Sequence, residues 1–180
     1  MRKVELLAPA GSLEKAKIAL MYGADAVYVG GKQFSLRARA SNFDLEDLKE
    51  LSEFAHERNK KVYVTMNIIP HDEDLSGLEE YLIYLESIKI DAIITSSRYI
   101  MKKAIEVAPN VEVHLSTQKS TTSSLGIDYY KRIGVSRVVL AREVTLNEIE
   151  KIMKNTDLEV EVFIHGGMCS SYSGHCVLSN

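Results

Sequence analysis

Short apolar runs rich in Val, Ile and Ala recur along the chain. Each is followed by a stretch whose apolar residues return every three to four positions. The runs predict strands at 4–8, 26–29, 61–67, 92–95, 111–115, 137–141 and 159–165. The stretches between them predict helices at 12–22, 45–58, 75–88, 99–107, 123–133 and 146–154. Local punctuation supports these boundaries. Ser12 is a good N-cap for the first helix. Asp44, Glu46 and Asp47 place acids at the start of the second, where the macrodipole favours them. Gly23 and Gly134 follow the first and fifth helices, where a left-handed C-cap is expected. Thr145, with Glu148 three residues on, has the spacing of a capping box.

Strand–helix alternation with near-continuous apolar strands implies a parallel sheet covered by helices. An open doubly wound sheet and a closed (β/α)8 barrel both satisfy it. The first strand runs into Ala8-Pro9-Ala10-Gly11-Ser12, too sparse in glycine for a dinucleotide fingerprint. Seven strands also exceed what most small open sheets use. The expected fold class is therefore α/β, a (β/α)8 TIM-type barrel. A full barrel takes about 250 residues. With seven strands and six helices in 180 residues, this one is expected to be incomplete, and residues 1–180 read as a single barrel domain.

Composition narrows the classes. A content of 46% hydrophobic and 26% charged residues is ordinary for a globular protein. The net charge of −3 gives no global reason to expect nucleic acid. No stretch is apolar for long enough to span a membrane, and the N-terminus lacks the apolar run of a signal peptide. The expectation is a cytoplasmic protein without membrane partners. Two cysteines, both near the end, do not make a disulfide framework.

In parallel α/β folds function gathers at the carboxyl ends of the strands. Those ends hold Lys32, Arg37 and Arg39 after the second strand and Asn67 and His71 after the third. Ser96, Ser97 and Arg98 follow the fourth, and His114, Ser116, Thr117 and Gln118 the fifth. Arg142 and Glu143 follow the sixth, and Glu161 and His165 lie on the seventh. Lys32, Arg37 and Arg39 form either an anion-binding cluster or a solvated loop. His114 is either a hydrogen-bonded core group or a functional one, and the serines suit helix caps. Glu161 stands between Val160 and Val162, so an inward carboxylate needs a partner; Arg142 on the neighbouring strand is the candidate.

Cys169 and Cys176, six residues apart after a Gly-Gly turn, are on spacing alone either two thiols or part of a metal site. Here a resemblance adds to the reading. The run Glu161-Val162-Phe163-Ile164-His165-Gly166-Gly167-Met168-Cys169, followed by Ser173-Gly174-His175-Cys176-Val177-Leu178-Ser179, resembles the signature of the collagenase-like peptidase family U32. It extends upstream through Leu7-Ala8-Pro9-Ala10-Gly11-Ser12, Gly23-Ala24-Asp25-Ala26-Val27-Tyr28-Val29-Gly30-Gly31, Phe34-Ser35-Leu36-Arg37-Ala38 and His114-Leu115-Ser116-Thr117-Gln118 to Arg137-Val138-Val139-Leu140-Ala141-Arg142-Glu143.

The resemblance implies that the chain is the N-terminal part of a longer family protein. It implies an iron–sulfur-dependent, oxygen-independent hydroxylase of RNA bases (tRNA or rRNA) or of a related aromatic substrate, with a prephenate-like small anion as oxygen donor. A 4Fe-4S cluster on four cysteines goes with it. Cys169 and Cys176 match the first two positions, so the cluster is expected in the full-length parent and to be incomplete or absent in this chain. The roles expected are catalytic for Glu161, Arg142 and His165, and substrate-binding for Arg37, Arg39, His114 and Gln118. Two alternatives stand beside it. One is a collagenase-like peptidase, for which Cys169 with His165 or His175 is the one imaginable dyad. The other is an inactive barrel fragment that self-associates through open sheet edges.

Overall fold

The computed structural model describes residues 4–35, 43–166 and 169–176. The chain falls into two compact units, Met1–Val111 and Glu112–Asn180.

The first unit runs β1 (Leu7–Ala10), α1 (Leu13–Met21), β2 (Ala26–Gly30), α2 (Leu45–His56), β3 (Lys61–Thr65), α3 (Leu78–Ser87), β4 (Ala92–Thr95) and α4 (Arg98–Val107). Its strands pair in parallel and in chain order, Ala26 opposite Leu7 and Lys61, and Tyr63 opposite Tyr28 and Ala92. One face of this sheet carries Ala26, Tyr63, Ala92 and Ile94, with Leu7 and Tyr28 packed beside them. The alternate residues Val27, Val29, Val62, Val64 and Ile93 are buried as well, together with Leu20, Leu48, Leu51, Leu82 and Ile100 of the helices. Burial on both faces is why these strands read as apolar runs rather than alternating patterns.

The second unit runs β5 (Glu112–Leu115), α5 (Ser124–Ile133), β6 (Arg137–Val139), α6 (Leu146–Asn155) and β7 (Glu159–Glu161), again parallel and in order. One face of its sheet is ionic. His114 stands opposite Arg137, and Arg137 opposite Glu159. Both units thus repeat the βα wiring of the (β/α) barrel class. The described residues hold seven strands and six α-helices, where a complete barrel has eight of each.

The expected caps are in place. Ser12 Oγ accepts from the Lys15 amide at 3.3 Å, and Thr145 and Glu148 form the capping box. Gly23 and Gly134 have φ of 115° and 105°. Three boundaries differ from the sequence expectation by three residues or more. Strand β1 starts at Leu7, not residue 4, because it pairs with β2 only from Leu7 onward. Helix α3 begins at Leu78, because its N-cap Gly77 is left-handed at φ 76° and, after Ser76, separates it from the preceding 3-10 turn (Asp72–Leu75). Strand β7 ends at Glu161, and Val162, Phe163 and Ile164 are exposed beyond it.

Candidate functional site: the cysteine segment of the second unit

The segment carrying the two cysteines has no regular secondary structure, so its backbone groups need other partners. Ser173 supplies the main anchor and is 2% exposed. Its amide donates to Glu143 Oε1 at 2.6 Å. Its hydroxyl oxygen accepts from the Arg142 amide at 3.1 Å and lies 3.4 Å from the Thr117 hydroxyl. Its carbonyl accepts from the Ser120 hydroxyl. Thr117 also donates to the Leu140 carbonyl at 3.1 Å, tying the segment after β5 to the end of β6.

The flanks are held too. Arg142 Nη2 donates to the Ser171 carbonyl at 2.7 Å, and the His175 amide closes a turn onto the Tyr172 carbonyl at 3.0 Å. Gly174 is left-handed at φ 76°, and a Cβ there would run into the carbonyl oxygen of Gln118. Only glycine meets both demands. Burial pushes the Glu143 carboxyl up. The Ser173 amide, its own amide, the Ser173 hydroxyl and the Arg142 charge together outweigh that, so the group lies below the ordinary glutamate range. Cys169 is exposed, Cys176 is half-buried, and neither is in a disulfide.

The ionic face is built separately. Arg137, 6% exposed, reaches Glu159 Oε2 with Nε at 3.0 Å and Nη2 at 2.7 Å, and Glu161 Oε2 with Nη1 at 3.7 Å. His114 is fully buried, its Nε2 3.1 Å from Glu112 Oε2. Glu161 therefore has an arginine partner as the sequence required, but it is Arg137 and not Arg142. Arg142 lies beyond the end of β6, free of the strand's alternation, and grips the cysteine segment with Glu143 beside it.

Of the residues singled out in the sequence, the structure brings Arg142, Gln118 and Cys176 to one segment, and places Glu161 and His114 on the ionic face. His165 lies past β7 and is exposed. Arg37 and Arg39 lie outside the described residues. Ser97 caps α4, its Oγ 3.4 Å from the Ile100 amide. Sequence reasoning missed Ser173, Ser120 and Glu143 as partners. The signal within reach was the Ser173-Gly174 pair between the two cysteines.

The first unit has polar groups of its own at its strand ends. Ser35 Oγ and Thr65 Oγ1 are 3.4 Å apart, and Thr65 also donates to the Val29 carbonyl at 3.2 Å. The Tyr81 hydroxyl is buried with no hydrogen-bond partner among the described residues. An added Cβ at Gly31 would stand 2.5 Å from it, so glycine makes room for the phenol.

Comparison with known proteins agrees with this architecture. The model of peptidase family U32 matches residues 11–180, and the chain belongs to that family. It is 50% identical to the tRNA hydroxylation protein P1 of Bacillus subtilis, over 99% of this chain and 42% of that protein. It is 35% identical to a collagenase of Porphyromonas gingivalis, over 97% of this chain and 44% of that protein. The chain thus spans less than half the length of these relatives. Among solved structures, the U32 peptidase Mk0906 superimposes with a TM-score of 0.71 at 12% identity, over 89% of this chain and 68% of that one. That likeness shows the fold alone.

Proposed function

We propose that this chain is part of an oxygen-independent hydroxylase of RNA bases. Its carrying observation is the 50% identity, over nearly the whole chain, to a tRNA hydroxylation protein. The collagenase relative stands lower, at 35%. No described constellation favours the peptidase reading: His165 is exposed beyond β7, and Glu143 and Arg142 are engaged with backbone groups rather than with a thiol.

In this reading Cys169 and Cys176 are two thiolate ligands of a 4Fe-4S cluster. Thiolate is the donor that iron–sulfur clusters take, and both thiols flank a segment pinned at its middle. The described residues contain no group of three or more His, Cys, Asp and Glu side chains suited to an ion. The donors present therefore fit two of four cluster positions, and the other two come from outside these residues. When bound, the cluster supplies electron transfer. The chain's own residues hold the cysteine segment, through Ser173, Arg142 and Glu143. A prephenate-like small anion is the oxygen donor in this reading, and RNA is the substrate.

The test is made on cells with and without the gene for the complete protein. Their tRNA and rRNA are digested to nucleosides and compared by mass spectrometry. Loss of a nucleoside heavier by one oxygen, restored by the wild-type gene but not by Cys176→Ala, is the expected result. Unchanged nucleosides, with gelatin cleavage by the purified iron-free protein, would sink it.

A further inference from the structure

We propose that Ser173 is a positioning residue that fixes the segment ending in Cys176 onto the C-terminal ends of β5 and β6 through protein contacts alone, before any metal arrives. The use of this positioning for a cluster rests on the reading above; the positioning itself does not.

The observations converge on one residue. Every polar atom of Ser173 is engaged: the amide with Glu143, the hydroxyl with the Arg142 amide and Thr117, the carbonyl with Ser120. At 2% exposure these groups are closed off from water, so each needs its protein partner. The amide–carboxylate bond, at 2.6 Å, is charge-assisted, the stronger kind. The partners come from two places in the chain, residues 117–120 and residues 142–143, so the segment is fixed relative to both β5 and β6. Immediately beyond Ser173, Gly174 packs against the Gln118 carbonyl in a conformation that a side chain would oppose. Cys176 follows two residues later. A loop without secondary structure is costly to order, and the four contacts of Ser173 order this one without using a thiol. A segment preset in this way offers its cysteine at a lower entropic cost than a free loop would.

The experiment reads thiol accessibility in metal-free protein. Cys169 and Cys176 are alkylated with iodoacetamide under native conditions, and each rate is followed by mass spectrometry. Exposed Cys169 serves as the internal reference, and half-buried Cys176 reports the segment. Glu143→Ala removes the charged acceptor of the Ser173 amide, and Ser173→Ala keeps that bond but leaves the Arg142 amide without its acceptor; each is expected to raise the Cys176 rate by about tenfold through a shifted local opening equilibrium. Glu143→Gln keeps an acceptor for the Ser173 amide and is expected to restore most of the slow rate. Thr145→Ala weakens the α6 cap without touching the segment, and should leave Cys176 as in the wild type. Equal Cys176 rates in wild type, Ser173→Ala and Glu143→Ala would overturn the proposal, as would acceleration by Thr145→Ala to the same degree. Because the readout needs no iron, a natural enzyme found without a cluster would refute the cofactor reading and leave this result untouched.

Discussion

Two side chains show how local surroundings set individual costs. The carboxyl of Glu143 titrates below the ordinary glutamate value of 4.5, and the bond to the Ser173 amide is part of the reason. A folded-state pKa below the unfolded one gives a stabilisation present in full above the unfolded value and lost as pH falls through the folded one. Hydrogen exchange at residues 170–176 should therefore stay slow from neutral pH down to about 4.5, and accelerate beyond the intrinsic trend only in stronger acid. Acceleration already between pH 6 and 5, about where histidine titrates, would assign the effect to another group. Tyr81 is the converse case. Its hydroxyl is buried without a partner among the described residues, and burial, with a smaller push from Tyr84, raises the phenol above its ordinary value. An unmet buried donor costs roughly 1–3 kcal/mol. Tyr81→Phe removes that cost and leaves only a small void, so urea denaturation should show a variant at least as stable as wild type, by up to about 1 kcal/mol. A clear loss of stability would mean that the hydroxyl has a partner after all.

At the scale of elements, helix starts were legible because a cap acts within a single turn. Ser12, Asp44 and Thr145 each accept from the amide three residues on. At Asp44 and Thr145 the capping residue is followed three positions on by an acid, a pattern visible without any tertiary knowledge. Strand ends were less legible, since an apolar run does not record where its neighbour stops pairing. Val162, Phe163 and Ile164 continue the apolar run of β7, yet the ladder with β6 covers only Glu159 to Glu161. The same limit hid Glu143 and the true partner of Glu161. Which arginine reaches a carboxylate depends on register across two strands, and register is set by the whole sheet. In α6, Glu148 Oε2 accepts from both the amide and the hydroxyl of Thr145, at 2.8 and 2.7 Å. Thr145→Ala removes the cap and should cost about 1 kcal/mol in urea denaturation. A cost near zero would mean that water caps this exposed end equally well.

For the molecule as a whole, the two units differ in what fills their sheets. Of the twelve largest fully buried side chains among the described residues, eleven lie in the first unit and only Leu115 in the second. One sheet face of the first unit is apolar and tyrosine-rich, whereas the corresponding alternation in the second carries His114, Arg137, Glu159 and Glu161. Apolar burial contributes about 25 cal/mol per Å². Arg137 is buried but its partner Glu159 is exposed, and such a pair contributes little once the desolvation of the arginine is counted. The sequence pattern conveyed the βα wiring common to both units but not this asymmetry, because Arg137 and Glu159 read as strand ends until the register shows them side by side. Stability should therefore be uneven. Native-state hydrogen exchange is expected to find the slowest amides in β2 and β3, around Val27 and Val64, with those of β6 and β7 exchanging at least about tenfold faster. Equal protection in both sets would show that the 180 residues open as one cooperative body, and that the ionic face contributes as much to holding the fold as the apolar one does.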